Sequence, residues 1–481
     1  MTLDAPLLTW KGGLLALMLA CIASWPMLVG GSYFFFHDTG LYIGTGEKIF
    51  NFAIGTVSQV FQTPGGGTDT STSDVIRDNR IMVLRSFVYS LYVFIMGGGV
   101  WPPIFATLQA AAVIWSAFAL IDRTALDHSW VLAVGMIPVM GLTTLPWFTV
   151  YLMPDILVAM IVIYAAVLLT RYDHLSRIQL LVLCGLTTFA VASHYGHGPI
   201  AFGLLAGVIA WRAIRRQLTW GFFVAAVIPV LFSPVANLTT SAVVLDDAEV
   251  TPMRLPILLA RSLQDGPAFW YLSAACPEAD HAFCEAFPEE SPRWIGDFLW
   301  SENGVRSLSP EIMNRIRDEE CEVLWAAFRA YPAQQTWSLA GNTVLQFFKV
   351  GTGQIMPAQL ASSGRLEGHD APRATKLLSV FDVVVAVGTA AGALVLAWLW
   401  ASRRLTREQR DVLLVVLAGL ALNALVFGGL SAPVDRYQSR LIWLLPVLAV
   451  IFYARSLDGQ SRRDTFEASV TGKPNRGTVQ S

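Results

Sequence analysis

Long apolar runs, separated by short polar or charged segments, constrain the fold of this chain more than any other feature. A helix needs about 20 predominantly apolar residues to cross a bilayer. With 54% hydrophobic and 14% charged residues, the chain is also too apolar for a soluble protein of its length. We therefore expect an all-α polytopic membrane protein with about ten transmembrane helices. The expected spans lie near residues 12–30, 100–121, 129–147, 154–170, 178–194, 198–211, 218–236, 377–400, 411–430 and 437–454.

Arginines follow the even-numbered spans, whereas the short loops 148–153 and 195–197 contain no lysine or arginine. Cytoplasmic loops are enriched in these residues, so the pattern predicts a cytoplasmic N-terminus. Three polar segments then lie outside the cytoplasm, at 31–99, 237–376 and 431–436. The arginines that set this orientation are Arg123, Arg171, Arg177, Arg212, Arg215, Arg216, Arg403, Arg404, Arg407, Arg410, Arg455, Arg462 and Arg463.

This topology divides the chain into four parts. They are an N-terminal transmembrane bundle at 1–236 with a first extracytoplasmic loop at 31–99, an extracytoplasmic helical insert at 237–376, C-terminal transmembrane helices at 377–456, and a polar, aperiodic cytoplasmic tail at 457–481 that we expect to be disordered.

Helix signals recur within the insert. A Ser-Pro-Glu sequence at 309–311 provides a cap, a first-position proline and a first-turn acid, which predicts an amphipathic helix over 308–331. We expect a second helix over 333–350, and a helix with a Gly-Pro break over 254–272. Apolar side chains of 333–350 are available to lie either on the membrane surface or on the bundle. They are Trp337, Leu345, Phe347 and Phe348.

Three of the five cysteines, Cys276, Cys284 and Cys321, fall in the insert. Compartments outside the cytoplasm favour disulfide bonds. Cys276 and Cys284 are close enough in sequence for a local disulfide, with Cys321 left free or pairing instead.

Asp38 lies at the end of an aromatic run in the first outside loop. Asp38, Tyr42 and Gly46 recur at four-residue spacing, so on a helix they share one face. Glycine weakens an isolated helix by about 1 kcal/mol, which suggests close packing or close approach of a ligand at this face. A functional acid and a simple helix N-cap are the two readings of Asp38, and we favour the first.

Asp155 and two histidines mark the next two outside segments. Asp155 follows Pro154 at the start of the fourth span, where an acid either stabilises the helix start or serves a function. His194 and His197 flank Gly196 in a short turn, where they either bind a metal or phosphate or are simply solvated.

Arginines also occur on the side where the positive-inside pattern does not expect them. Arg85 precedes an apolar segment that contains Tyr89, and Arg436 and Arg440 share a helical face before the last span. Arginine binds phosphate with a planar fork of donors. Arg85 either binds such a group or only stabilises the membrane interface. Arg436 and Arg440, at the mouth of the bundle, indicate an anionic partner, for which a lipid phosphate is suitable.

Together these motifs resemble the C-type (GT-C superfamily) integral-membrane glycosyltransferases. The matching features are Asp38-x-x-x-Tyr42, Arg85-x-x-x-Tyr89, Pro154-Asp155 and Arg436-Tyr437. The resemblance covers the bundle, about two thirds of the chain, and does not extend to the insert. It implies transfer of a sugar from a polyprenyl-phosphate donor to an extracytoplasmic lipid, glycan or protein acceptor, with Asp38 as base or acceptor-positioning group.

The resemblance also implies a location and a candidate cofactor. We expect a multi-pass protein of the bacterial inner (plasma) membrane whose active site faces the periplasm. Some members of the family bind a divalent metal ion, which makes such an ion a candidate cofactor. Their first loop often has two adjacent acids, and here His37 occupies the neighbouring position.

Two other classes of function fit the same sequence. A transporter or flippase for a lipid-linked or anionic solute would have charges at mid-membrane depth and repeated spans. A glycan polymerase or ligase would place its key residues in the insert, such as Arg261 and His281. The net charge of −2 and the absence of a nucleotide-binding loop in the sequence argue against nucleic acid, ATP or a nucleotide sugar as partner.

Overall fold

The protein is described here from a computed structural model. The residues that the structure describes are 5–30, 33–61, 85–96, 102–245, 248, 250–251, 254–276, 278–288, 292–352, 356–360, 366–368 and 372–471.

Within these residues the chain is an all-α polytopic membrane protein with one small sheet added. Seven helices are long and apolar enough to cross a membrane. Each of the ten expected spans coincides with an apolar helix, but those at 104–120, 129–142 and 177–192 are shorter than a full crossing, so a count of ten is not confirmed. The seven long helices are Trp10–Leu28, Pro154–His174, His197–Ile214, Trp220–Val243, Ser379–Ala401, Arg407–Gly429 and Asp435–Leu457.

The helices before the insert differ widely in length, from four residues in Arg123–Leu126 to 26 in Trp220–Leu245. Hydroxyl caps begin several of them: the Ser86 and Ser176 side chains each accept a backbone N–H of the first turn. In order they are α1 Trp10–Ala23, α2 Pro26–Gly30, α3 His37–Phe61, α4 Phe87–Ile95, α5 Pro102–Ala117, α6 Arg123–Leu126, α7 Ser129–Leu142, α8 Leu145–Thr149, α9 Val158–Arg171, α10 Arg177–Ala192, α11 His197–Ile214 and α12 Trp220–Leu245.

The insert and the last helices follow. The insert has its own apolar core, which contains Leu263, Phe298 and Ile316 and is separate from the main core of the bundle. These helices are α13 Ile257–Asp265, α14 Pro267–Ala275, α15 Ala282–Ala286, α16 Ile295–Trp300, α17 Pro310–Ala330, α18 Pro332–Phe348, α19 Pro372–Ala401, α20 Arg407–Ala424, α21 Asp435–Ile442 and α22 Leu444–Thr471.

The insert agrees with the predictions made for it. Ser309 caps α17, the Gly266-Pro267 break separates α13 from α14, and α18 covers most of 333–350. Cys276 and Cys284 form the local disulfide, and Cys321 is free. Its start differs, because α12 continues to Leu245, beyond the expected boundary at 237.

A three-stranded sheet, which the sequence did not predict, joins the insert to the first loop. Strand β1 (Phe34–Phe35) pairs antiparallel with β2 (Met356–Leu360), which pairs antiparallel with β3 (Leu366–Gly368). β1 lies immediately before α3, so the sheet connects the end of the insert to the helix that carries Asp38.

Each end of the bundle contains a group of charged residues. The insert end, where α13–α18 project, contains the residues discussed in the next subsection. At the opposite end, Arg171 lies 3.0 Å from Glu408, and Arg455 lies 3.1 Å from Asp122 and 3.0 Å from Glu408. This buried quartet joins the ends of four helical segments, and its two positive and two negative charges balance.

The last helix reaches into the segment 457–481, for which disorder is expected. α22 continues past the predicted end of the last span at 454 as far as Thr471. A helix that is already nucleated adds residues at little cost, so it extends into polar sequence. Residues 472–481 lie outside the described part of the chain.

Candidate functional site

Two parallel helices place Asp38 beside Arg85. On α3 the predicted face of Asp38, Tyr42 and Gly46 packs against the start of α4: Asp38 pairs with Arg85, and the Tyr42 ring meets the Tyr89 ring edge-on with 4.9 Å between centroids. A Cβ atom at Gly46 would collide with the Ser90 carbonyl oxygen, which confirms the close packing predicted there. α3 begins at His37, so Asp38 lies within the first turn and does not cap the helix.

Strand β1 brings a second acid to the same place. The Phe34 N–H donates to the Val150 carbonyl at 3.0 Å, and the Leu152 N–H donates to the Phe34 carbonyl at 3.0 Å. This pairing fixes the loop that leads to Asp155. Asp155 is buried, with 2% of its side-chain surface exposed.

Asp155 binds both arginines of the segment before the last span. Its Oδ1 lies 3.3 Å from Nη1 of Arg440 and 3.8 Å from Nε of Arg436. Arg440 also donates from Nη2 to Asn423 Oδ1 at 2.8 Å, and Arg436 donates from Nη1 to the Tyr151 hydroxyl at 3.4 Å. A buried carboxylate between two guanidiniums is stable because the charges are paired. Asp155 therefore does more than begin a helix.

Aromatic rings surround these guanidiniums. Arg436 lies over the Phe36 ring at 3.9 Å from its centroid, and Arg440 lies over the Phe427 ring at 3.9 Å. Tyr437 is within reach of both arginines. Rings in these positions stabilise the cations and limit the access of water.

The two parts of the site are electrostatically coupled. Burial raises the pKa of Tyr42, and Arg85, Asp38, Asp155 and Arg436 all act on it. Tyr42 is therefore a neutral phenol that feels charges of both the Asp38–Arg85 pair and the Asp155–Arg436 pair. We call Asp38, Arg85, Asp155, Arg436 and Arg440 the charged cluster.

The histidine turn borders the charged cluster. The His194 and His197 rings are 5.1 Å apart, and His194 lies 5.5 Å from the Phe427 ring that covers Arg440. His194 Nδ1 accepts the Gly196 N–H at 3.0 Å, and His197 Nδ1 donates to the Ala190 carbonyl at 2.7 Å. A Cβ atom at position 196 would collide with Phe427, so glycine is required for this close approach.

Exposure differs sharply across the charged cluster. The Asp38 and Arg85 side chains are 19% and 15% exposed, whereas Arg436 and Arg440 are 6% and 0% exposed. Asp38 and Arg85 thus form the accessible mouth, and the other arginines lie beneath it. Among described residues, the buried Nε atoms of Arg436 and Arg440 make no hydrogen bond. Buried donors without a partner are uncommon, which marks these two atoms as candidates for a role in binding.

The insert holds the segment that carries the two deep arginines. Gln346 of α18 donates to the Val434 carbonyl at 3.0 Å and accepts the Val434 N–H at 2.8 Å. After α18, Gly351 donates its N–H to Ser439 Oγ at 2.8 Å, and its carbonyl accepts from the same hydroxyl at 2.8 Å. These hydrogen bonds therefore attach α21, which carries Arg436 and Arg440, to the insert.

The sequence missed several members of this site. Tyr151, Asn423 and Phe427 were not predicted, although a buried asparagine within an apolar span is a signal of function or of a buried polar partner. His37 lies in α3, but its side chain is outside the described part of the structure. Where the chain is described, no three His, Cys, Asp or Glu side chains are grouped to hold a metal ion.

The histidine turn makes stability depend on pH. Burial, His197 and Arg440 lower the pKa of His194 well below its usual value. In the unfolded chain a histidine has a pKa of about 6.5. The unfolded state then binds more protons below this pH, so the free energy of unfolding should fall as the pH drops below about 6.5 and be constant above about 7.5.

This prediction is measured by thermal unfolding in detergent at about pH 7.5 and about pH 5.5. His194→Gln provides the control, because glutamine accepts a hydrogen bond and does not titrate. Wild type should lose more stability between the two pH values than the variant. Equal losses would mean that His194 is protonated as easily in the folded protein as in the unfolded chain.

Comparison of the whole chain with family models, with curated proteins and with solved structures yields no match, so no family is assigned to it on that basis.

Proposed function

We propose that the protein is a membrane glycosyltransferase that moves a sugar from a polyprenyl-phosphate donor to an extracytoplasmic lipid, glycan or protein acceptor. The observation that carries the proposal is the charged cluster. An accessible carboxylate and three arginines, drawn from sequence positions as distant as 38 and 440, meet at the insert end of the bundle.

The charge balance of the cluster favours an anionic ligand. Three guanidiniums stand against two carboxylates, which leaves one excess positive charge, and His194 adds none because its pKa is lowered. Coulomb interactions are stronger where water is excluded. A phosphate that contacts the buried Nε donors of Arg436 and Arg440 would satisfy both the charge and the open hydrogen bonds.

In the proposed reaction, the accessible carboxylate of the cluster and its arginines have different roles. The acceptor hydroxyl attacks the anomeric carbon of the donor sugar while the bond from that carbon to the phosphate oxygen breaks. Asp38 takes the hydroxyl proton, and the arginines stabilise the departing polyprenyl phosphate. Asp38 is paired with Arg85 in this structure. An incoming phosphate would compete for Arg85 and release the carboxylate for the acceptor.

The position of the cluster suits a substrate with a lipid tail. Asp155 and Arg440 lie near the ends of two membrane-spanning helices, Pro154–His174 and Asp435–Leu457. A polyprenyl chain in the bilayer would therefore present its phosphate at the depth of these arginines. Such a site would hold the donor without removing its tail from the membrane.

The residues that a polymerase or ligase would use in the insert are engaged in contacts with other protein groups. Arg261 pairs with Asp265 and donates to the Ser431 carbonyl at 3.3 Å, and His281 lies 3.6 Å from Glu319. We therefore assign the chemistry to the charged cluster.

Mass spectrometry of envelope glycolipids and glycans tests this function. Cells of the source organism that lack the protein should lose the mass of one sugar from an envelope component and accumulate the lipid-linked donor, and the wild-type gene should restore the component. An unchanged envelope would contradict the transferase proposal and favour transport of an anionic solute.

A further inference from the structure

The last two helices of the insert differ in composition. α17 carries charged side chains along its length, as expected of a helix on a water-exposed domain. α18 follows it directly and contains no Asp, Glu, Lys or Arg in 17 residues. A helix of this length without charge is unusual on a surface that water covers.

The polar face of α18 is turned toward the protein. Gln335 accepts a hydrogen bond from Ser262 at 2.8 Å, and Asn342 donates to Asp265 at 3.0 Å. Gln346 is fully buried against the Val434 backbone. These three positions lie on one side of the helix because they follow the helical repeat.

The opposite face of α18 is apolar and exposed. Trp337, Val344, Leu345 and Phe348 are 77%, 59%, 52% and 74% exposed, and their spacing of seven, eight and eleven residues from Trp337 forms one stripe. A water-soluble helix buries its apolar stripe and exposes its polar one. Beyond its first turn, where Gln334 and Thr336 are exposed, α18 exposes the apolar stripe and buries Gln346, which is the arrangement expected where lipid covers the outer side.

The neighbours of α18 place this stripe at membrane depth. A Cβ atom at Gly428 would collide with Gln346, and one at Gly429 would lie 2.5 Å from Thr343 Oγ1, so α18 rests directly on the end of the span Arg407–Gly429. Phe347 packs on the main core of the bundle. The exposed stripe therefore continues the apolar outer surface of the spans.

We propose that α18 lies in the membrane leaflet at the insert end, with Trp337, Val344, Leu345 and Phe348 in contact with lipid. Lipid is the occupant that fits, because the polar side of α18 is satisfied by protein and its apolar side adjoins the ends of the spans. A contiguous exposed apolar stripe on one element indicates an interaction surface. This inference is independent of the proposed glycosyl transfer.

Contact with lipid would also bear on the charged cluster. α18 is bound through Gln346 to Val434, and Gly351 binds Ser439, so these two contacts bracket Arg436. A helix anchored in the leaflet would hold α21 at a fixed depth. The proposal thus assigns the insert a role in positioning the deep arginines relative to the bilayer.

Spin-label accessibility measures the depth of α18 directly. Single labels are placed at Val344→Cys and Phe348→Cys, with Glu322→Cys on the exposed surface of α17 as the matched control. The protein is reconstituted in phosphatidylethanolamine–phosphatidylglycerol nanodiscs, and collisions with oxygen and with a water-soluble nickel chelate are compared. The disulfide is kept, and the background carries Cys21→Ser, Cys184→Ala and Cys321→Ser.

Labels at 344 and 348 should collide with oxygen more often than with nickel, and the label at 322 should do the opposite. Nickel accessibility at 344 and 348 equal to that at 322 would overturn the proposal, because the stripe would then face water. Protection from both reagents would also overturn it, because protein, such as a second copy of the chain, would then cover the stripe. Trp337→Cys provides a third position if one label disturbs folding.

Discussion

Asp38→Asn should abolish restoration of the missing envelope sugar while the protein is still made and inserted. Asparagine keeps the size of the side chain and can still bind Arg85, but it cannot take a proton from an acceptor hydroxyl. Loss of a positioned base lowers a rate by about 100-fold or more. The measurement is quantitative mass spectrometry of the restored component, normalised to the amount of membrane-inserted protein.

Glu47→Gln is the matched control for this change. Glu47 is on the same helix, is exposed, and loses the same charge. The control should restore the sugar as well as wild type does. If Asp38→Asn restores it to the same extent as Glu47→Gln, Asp38 has no catalytic role, and its pairing with Arg85 serves only to hold α3 against α4.

Arg171→Met should cause a large loss of stability without touching the charged cluster. Arg171 is 3% exposed, binds Glu408, and donates to the Ala119 and Leu120 carbonyls at 2.7 and 3.1 Å. Its removal leaves two carboxylates with one arginine in a buried site. Breaking such a group by removing one partner reduces the free energy of unfolding by about 3–5 kcal/mol.

Unfolding of the purified protein in detergent measures this loss, with Arg177→Met as control. Arg177 begins the neighbouring helix and is exposed, so its replacement should change stability little. The double variant Arg171→Met, Glu408→Gln should be more stable than Arg171→Met alone, because Asp122 and Arg455 then remain as a balanced pair. No recovery in the double variant would mean that the packing and backbone contacts of Arg171, and not its charge, are decisive.

The sequence predicted the charged cluster well where its members follow a local repeat. Asp38, Tyr42 and Gly46 were placed on one face by helical spacing, and that face is the one that packs on Arg85 and Tyr89. Arg436 and Arg440 were selected because, in the expected topology, they oppose the positive-inside trend. Local pattern and charge were sufficient in these cases.

Residues brought in by distant pairing could not be predicted in the same way. Tyr151 reaches Arg436 because its loop pairs with strand β1, and a strand of two residues exists only through its partners. Asn423 can be recognised as part of the site only from its hydrogen bond with Arg440, which the sequence does not reveal. The short helices at 104–120, 129–142 and 177–192 show a related limit, since tertiary packing and not hydropathy decides where a helix ends.

Acceptor-dependent release of polyprenyl phosphate by the purified protein in nanodiscs measures the proposed glycosyl transfer itself. The donor is the polyprenyl-phosphate form of the sugar that disappears from the envelope, and the acceptor is the envelope component that lacks it. We expect wild type to release polyprenyl phosphate and extend the acceptor, and Asp38→Asn to do neither. Intact donor after incubation with active, folded wild type, or donor that only changes leaflet, would contradict this expectation.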